Sequence, residues 1–291
     1  MKSFFLSLIT VFHAVAAHVT AHELIAPGAK VEQLATGYTF TEGPATDANG
    51  DIYFSDIPNQ DIHRWSVSKR KVTVFMDESG GTNGPYFDKD GQLLGCQTVE
   101  KQVVSIEPET KKVTPITSEY NGAPYNKPND LWIDPKGGIY FTDPNYGKQE
   151  KTQDGEHVYY INPSRDKVIR VADDFNKPNG LIGTPDGKTL YIADPGAGKT
   201  YQYTIADDAT LTNKKLFCES GSDGVTLDEK GNLYITAAAV DIYSPDGKLL
   251  ESIETPERPA NVTFGGKDNK TLFITARKSL YAIEMAVSGA E

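Results

Sequence analysis

Residues 134–143 read DPKGGIYFTD, and five near-copies of this segment recur along the 291-residue chain. Each copy is a turn that contains Asp with Gly or Asn, followed by apolar residues that alternate along a strand. The other copies are DANGDIYFSD (47–56), DKDGQLLGCQ (88–97), TPDGKTLYIAD (184–194), DEKGNLYITAA (228–238) and GKDNKTLFITA (266–276). Successive turn residues are therefore 38 to 50 positions apart, at Gly50, Gly91, Gly137, Gly187, Gly231 and Asn269.

This repeat predicts the fold. Alternating strands bounded by Asp-Gly turns are typical of antiparallel hairpins, and the absence of a sustained helical period argues against a βαβ sheet. A repeat of about 40 to 50 residues that holds several short strands is typical of a β-propeller blade. The last repeat is followed only by SLYAIEM (279–285), so we expect KVEQLAT (30–36) to add its fourth strand. The sequence predicts an all-β, six-bladed β-propeller whose N-terminal strand closes the last blade.

The first 21 residues have the pattern of a secretory signal peptide. Lys2 precedes an apolar stretch from Phe4 to Ala17, and small-x-small patterns suited to cleavage end at Ala16 and at Ala21. This pattern predicts a secreted or periplasmic protein. No Pro/Ser/Gly-rich linker divides the rest, so we expect residues 22–291 to form a single propeller domain.

Composition excludes several classes of partner. The net charge is −11, from 29 basic and 40 acidic residues, and no stripe of Lys or Arg is present, so duplex nucleic acid is excluded as a partner. The leader is the only long apolar run, which argues against a membrane span. Two cysteines, Cys96 and Cys218, are expected to be buried free thiols, with a disulfide as the alternative. The sequence does not indicate an oligomeric state.

A second regularity lies eight residues before each turn residue. The residues at this offset all have acidic or amide side chains: Glu42, Asn83, Asn129, Asn179, Asp223 and Asn261. Because rotation about the propeller axis relates equivalent positions of successive blades, we expect these six residues, the polar ring, to meet at one mouth of the central channel. Carboxylates and amides that converge without water or partners are costly, and a divalent cation such as Ca²⁺ would bind their oxygens. The ring has no Cys or His, which disfavours zinc.

The alternative is that these residues only form turns, since Asn, Asp and Gly tolerate left-handed backbone. Acidic or amide side chains at the same offset in all six repeats favour a cation site over turn formation alone. For Asn83 and Asn261 the alternative stays open, with hydrogen bonds to water or backbone instead of a cation.

The chain resembles the SMP-30/gluconolactonase family, which consists of six-bladed propellers that hydrolyse lactones with a bound divalent metal. The matching segments are TEGP (41–44), NKPNDL (126–131), GGIYFTDPNYG (137–147), VYYINP (158–163), ADDFNKPNGLIGTPDGKTLYIAD (172–194) and SDGVTLDEKGNLYIT (222–236). They extend over most of the chain after the leader.

The resemblance implies roles for five residues. Glu42, Asn179 and Asp223 match the metal ligands, and Asp223 also matches the general base. Asn129 matches a residue that reaches the metal and the substrate or its water. Lys127 stands where family members often have an Arg that binds substrate, and a Lys lacks the bidentate geometry of Arg. The implied cofactor is one divalent metal, with Ca²⁺ favoured and Mg²⁺, Mn²⁺ or Zn²⁺ open.

We therefore expect a hydrolase that opens a lactone, such as gluconolactone, by metal polarisation of the carbonyl and general-base activation of water. One alternative is a metal-dependent aryl-ester or organophosphate hydrolase of the same fold. Another is a ligand-binding propeller without catalytic activity, in which the cation is structural. A serine hydrolase is disfavoured because the chain has no G-x-S-x-G motif.

Overall fold

The computed structural model describes residues 24–147 and 149–290 of the chain. Within these residues the regular structure is β-strand apart from one 3₁₀ turn at Ile57–Asn59. No helix in the described part is long and apolar enough to cross a membrane. The leader predicted at residues 1–21 lies outside the described residues and stays a prediction.

Six four-stranded antiparallel sheets follow one another along the chain and form the blades of a propeller. The strand before them is β1 (Glu32–Thr36). Blade 1 contains β2 (Thr41–Thr46), β3 (Ile52–Asp56), β4 (Asp61–Ser66) and β5 (Lys71–Met76). Blade 2 contains β6 (Thr82–Phe87), β7 (Leu93–Gln97), β8 (Gln102–Ile106) and β9 (Val113–Thr117). A small hairpin of β10 (Glu119–Tyr120) and β11 (Ala123–Pro124) comes next.

Blade 3 contains β12 (Leu131–Ile133), β13 (Ile139–Asp143), β14 (His157–Ile161) and β15 (Val168–Ala172). Blade 4 contains β16 (Leu181–Gly183), β17 (Thr189–Asp194), β18 (Lys199–Ile205) and β19 (Leu211–Cys218). Blade 5 contains β20 (Val225–Leu227), β21 (Leu233–Thr236), β22 (Val240–Tyr243) and β23 (Leu249–Ile253). Blade 6 contains β24 (Pro259–Gly265), β25 (Thr271–Ala276), β26 (Ser279–Glu284) and β1.

The repeated turn joins the first two strands of each blade. In blade 1, Gly50 has φ +78° and donates its N–H to the carbonyl of Asp47 at 2.9 Å. The carboxylate of Asp47 accepts the N–H groups of Asn49 and Asp51 at 2.8 and 3.0 Å. The same pair of side-chain bonds recurs at Asp88, Asp134 and Asp228. This Asx turn is the physical reason for the Asp and Gly of the repeat.

The predicted closure of the ring is confirmed. Strand β1 pairs antiparallel with β26, Glu32 opposite Ala282 and Thr36 opposite Ser279. The first and last parts of the chain therefore share one sheet, and the outer edge of β26 is covered by a strand.

The core lies between the blades and is built by the second strands. Their tyrosines Tyr53, Tyr140, Tyr191 and Tyr234 are all buried. Cys96 and Cys218 are also buried and are free thiols, as expected.

Candidate active site

The structure brings the polar ring to one level of the central channel. Glu42, Asn83 and Asn261 pair with Ser55, Cys96 and Thr275 near the ends of the second strands. Asn129, Asn179 and Asp223 donate their backbone N–H groups to the carbonyls of Thr142, Ala193 and Thr236, which hold the equivalent places. The offset of eight residues therefore corresponds to one position in every blade.

A β-bulge occurs at this level. In blade 4, Ala193 accepts the N–H of Asn179 at 3.0 Å and donates its own N–H to the carbonyl of Gly180 at 2.9 Å. Two residues of the first strand thus face one residue of the second, which re-aims the side chain at the bulge. A Cβ on Gly180 would lie 2.4 Å from the carbonyl oxygen of Asp223 in the next blade. Glycine is required here because neighbouring blades meet closely around the axis.

Three ring members form a cluster, the carboxylate–amide centre, made of Glu42, Asn179 and Asp223. Asn179 Nδ2 donates to Asp223 Oδ1 at 2.7 Å, and the carboxyl groups of Asp223 and Glu42 lie close enough for each to shift the pKa of the other. Glu42 and Asn179 are each 3% exposed, while Asp223 is half-buried. Residues from blades 1, 4 and 5 thus meet on the axis.

The electrostatics of the centre are those of two neighbouring carboxyl groups that are partly or fully removed from water. Burial, and then the negative charge of Asp223, raises the pKa of Glu42 well above its ordinary value. Burial also raises the pKa of Asp223, while hydrogen bonds from Asn179 and Glu42 and the charges of Arg258 and Arg277 act in the opposite direction. A cation between the two carboxylates would lower both pKa values, because it stabilises the ionised forms that burial disfavours.

Two other ring members, Asn83 and Asn261, bond to the backbone of the next residue. Asn83 Oδ1 accepts the N–H of Gly84, and Asn261 Oδ1 accepts the N–H of Val262, each at 2.8 Å. Glu42 Oε2 accepts the N–H of Gly43 in the same way at 3.0 Å, so this bond is common to ring members inside and outside the centre.

The sequence pattern did not identify Asp130. This residue follows Asn129 in NDL, where the other repeats have Gly or Val. Burial and the charge of Asp223 raise its pKa to about 7, while hydrogen bonds from Leu131 N–H and the Asn261 side chain act against the rise. Asp130 and Asn261 also line a cavity of about 800 Å³ that occupies the channel on the far side of the ring. The signal available in the sequence was the carboxylate of Asp130 at a position where the other repeats have Gly or Val.

Three further aspartates hold the segments that lead into the ring. Asp194 accepts the N–H groups of Asn176 and Lys177, both at 2.9 Å. Asp143 binds the N–H groups of Asn126 and Lys127 in the same way, and Asp56 those of Thr39 and Phe40. In each case the bound N–H groups lie three and two residues before a ring member. The last residues of FSD, FTD and IAD in the repeats therefore position Glu42, Asn129 and Asn179.

The substrate residues expected from the family belong to the segment that leads into the ring in blade 3. Lys127 and Asn129 are half-buried, and the segment they belong to is fixed through the backbone of both residues. Within the described residues, no ion pair involves the Lys127 ammonium.

Other reactive side chains are engaged elsewhere. His157 bonds to Asp154 at 2.8 Å, and His63 packs on Phe54 and Tyr38. Ser222 Oγ donates to the backbone carbonyl of Gly224 at 2.5 Å, so the hydroxyl supports the bulge in blade 5.

The fold and the site together define a six-bladed propeller with a carboxylate–amide centre on its axis. The chain belongs to the SMP-30/gluconolactonase/LRE-like family, whose model matches residues 40–278. It is 26% identical over 294 aligned residues to a gluconolactonase of Zymomonas mobilis, covering 89% of this chain and 82% of that protein.

Two solved structures have the same fold. A gluconolactonase of Xanthomonas campestris superposes with a TM-score of 0.86 at 26% identity, over 92% of this chain and 93% of that one. A calcium-binding regucalcin of Agrobacterium tumefaciens superposes with a TM-score of 0.77 at 21% identity, over 88% of this chain and 94% of that one. The second likeness concerns the fold alone.

Proposed function

We propose that this protein hydrolyses a lactone, with a sugar lactone such as gluconolactone as the substrate class, at the carboxylate–amide centre. The similarity to proteins named gluconolactonase and lactonohydrolase supports a lactonase. The observation that carries the proposal is the meeting of Glu42, Asn179 and Asp223 at one channel mouth, with the Asn179 amide 2.7 Å from the Asp223 carboxylate.

The donor set fits a divalent cation. No group of three His, Cys, Asp or Glu side chains suited to a metal occurs among the described residues. The centre instead combines two carboxylates with an amide carbonyl, which is a set of hard oxygen donors that Ca²⁺ accepts. We therefore infer that Glu42, Asn179 and Asp223 hold one cation, with Ca²⁺ favoured and Mg²⁺, Mn²⁺ or Zn²⁺ as the other candidates. When bound, such a cation polarises the lactone carbonyl.

Asp223 is the proposed general base. Its carboxylate accepts a proton from the water that attacks the carbonyl carbon, the ring C–O bond breaks, and the proton passes to the departing alkoxide oxygen. The product is an open-chain hydroxy acid. Arg258 and Arg277 oppose the rise of the Asp223 pKa, which favours the ionised base. Asn129 and Lys127 are the proposed contacts for the hydroxyl groups of the substrate.

A pH-stat assay on glucono-1,5-lactone, with EDTA-treated protein and with CaCl₂ restored, tests the proposal. Acid release that EDTA abolishes and CaCl₂ restores is the expected result. Turnover restricted to aryl esters or organophosphates would favour the alternative hydrolase. Tight Ca²⁺ binding without turnover of any ester would favour a binding propeller with a structural cation.

The predicted signal peptide supports a separate proposal about where the protein is found. We infer that the protein is exported and that cleavage follows Ala16 or Ala21. N-terminal sequencing of protein recovered outside the cytoplasm is expected to begin at residue 17 or 22, and an intact Met1 would contradict export with cleavage.

A further inference from the structure

The segment between β13 and β14 brings a tyrosine to the centre. Tyr146 Oη lies 2.6 Å from Nδ2 of Asn179. The same Nδ2 donates to Asp223 Oδ1 at 2.7 Å. An amide nitrogen has two N–H donors, so both donors of Asn179 are engaged, one by a carboxylate and one by a phenol oxygen.

These two bonds fix the orientation of the Asn179 amide. A single bond to Asp223 would leave the amide free to pivot about that contact, whereas two acceptors on different blades determine its plane. The opposite atom, Oδ1, accepts no hydrogen bond from the described residues. The carbonyl oxygen is the only atom of an amide that binds a hard cation, so the orientation decides whether Asn179 is a ligand.

Tyr146 is itself held in place by charged neighbours. Lys177 Nζ lies 4.9 Å from the centre of the Tyr146 ring and donates to the carbonyl of Asn145 at 2.8 Å. The Glu156 side chain, 5% exposed, accepts the N–H of Asn145 at 2.9 Å and lies 3.5 Å from Lys177 Nζ. The residue before the tyrosine is thus anchored through both its N–H and its carbonyl.

We propose that Tyr146 is a positioning residue that acts through Asn179: its phenol oxygen holds the Asn179 amide with the carbonyl oxygen directed to the cation. This inference rests on the proposed function, because it requires a cation at the carboxylate–amide centre. It adds a residue outside the polar ring, from blade 3, to the machinery of the site.

Calorimetric titration of EDTA-stripped protein with CaCl₂ tests this role without any turnover. Tyr146→Phe keeps the ring and removes the hydroxyl, and we expect its Ca²⁺ dissociation constant to rise about 10- to 100-fold, as for other partners that orient metal ligands. Tyr203→Phe is the matched control, because the Tyr203 hydroxyl is buried without a hydrogen-bond partner. Its affinity is expected to equal that of the parent.

A double-mutant cycle distinguishes positioning from a general structural effect. In Asn179→Asp the two side-chain oxygens are equivalent, so there is no amide left to orient. We expect Tyr146→Phe to have no further effect on Ca²⁺ affinity in that background. Lys177→Met, which removes the contact with the ring and with Asn145, is expected to weaken Ca²⁺ binding in the same direction as Tyr146→Phe.

Unchanged affinity in Tyr146→Phe, or equal losses in the parent and Asn179→Asp backgrounds, would overturn the role of Tyr146 while leaving the lactonase intact. A parent protein that binds Ca²⁺ without opening any lactone would instead contradict the proposed function. A parent that binds no divalent cation would contradict both.

Discussion

Two neighbouring carboxyl groups determine the chemistry of the centre at the scale of single residues. Glu42 is buried and Asp223 is half-buried, and removal from water raises the pKa of each. Such a pair is unfavourable when both groups are ionised without a counter-charge. A cation bound between the two carboxylates would therefore stabilise the folded protein.

Substitution of Asp223 tests its role as the base. Asp223→Asn keeps an oxygen that can accept from Asn179 but cannot take a proton, so we expect turnover of glucono-1,5-lactone to fall about 10²- to 10⁴-fold. The fold should persist, as circular dichroism and thermal melting would show. Asp268→Asn, in an exposed turn, is the control. Turnover close to that of the parent would remove Asp223 from the mechanism.

Asp130 gives the metal-free protein a pH-dependent stability. Its pKa is about 7 in the folded chain against an ordinary value of 3.8. As the pH rises from 4 to 7, the unfolded chain loses this proton while the folded chain retains it, so the free energy of unfolding falls. Because the folded state binds more protons than the unfolded state in this window, the slope of the unfolding free energy against pH is negative.

We therefore expect the unfolding free energy of EDTA-treated protein, measured in urea, to decrease between pH 4 and 7. Asp130→Asn should have a shallower decrease, because one of the groups that titrate in this window, with Asp143, has been removed. Asp268→Asn should keep the slope of the parent. Equal slopes for all three proteins would contradict the contribution of Asp130.

At the scale of the elements, the bulge and the aspartate at the end of the second strand work together. The bulge turns the ring residue toward the axis, and the aspartate fixes the segment that precedes it. In blade 4, Asp194 accepts three N–H groups, from Asn176, Lys177 and Ala197. Because Asp194 is 1% exposed, few waters could replace it.

Asp194→Ala is expected to destabilise the protein by about 2–4 kcal/mol, since three partly buried N–H groups would lose their acceptor. It should also weaken Ca²⁺ binding, because Asn179 lies directly after the released segment. Urea unfolding and CaCl₂ titration measure the two effects. Asp186→Ala, in an exposed turn of the same blade, is the control. Full stability with Ala at 194 would show that the carboxylate does not hold this segment.

At the scale of the whole molecule, the ring is held closed by the pairing of β1 with β26. The chain before β1 contributes to the same sheet region, since Leu24 is 1% exposed and packs in the core of blades 5 and 6. Loss of this segment would expose the edge of β26 and part of that core.

A chain that begins at Gly37 is therefore expected to melt about 10 °C or more below a chain that begins at Leu24, given about 2–4 °C per kcal/mol for a domain of this size. It should also self-associate through the free edge. Differential scanning calorimetry and light scattering measure both properties. Equal melting temperatures would show that closure by β1 contributes little.

Much of the fold could be predicted from the sequence, because the repeat records a local rule. The Asp and Gly of each turn satisfy backbone donors within a few residues, and the alternation that follows specifies which face of the strand is buried. The offset of eight residues placed the polar ring at one level for the same reason, since every blade has the same local register.

The sequence by itself determined the number of blades, the closing strand and the candidate ring. Only the tertiary structure decided that Glu42, Asn179 and Asp223 meet and that Tyr146 joins the centre. These outcomes depend on contacts between blades: Asn179 is 33 positions from Tyr146 and 44 from Asp223 along the chain. A periodic pattern specifies each blade separately, whereas the distance between side chains of different blades is set by how closely the blades pack around the axis.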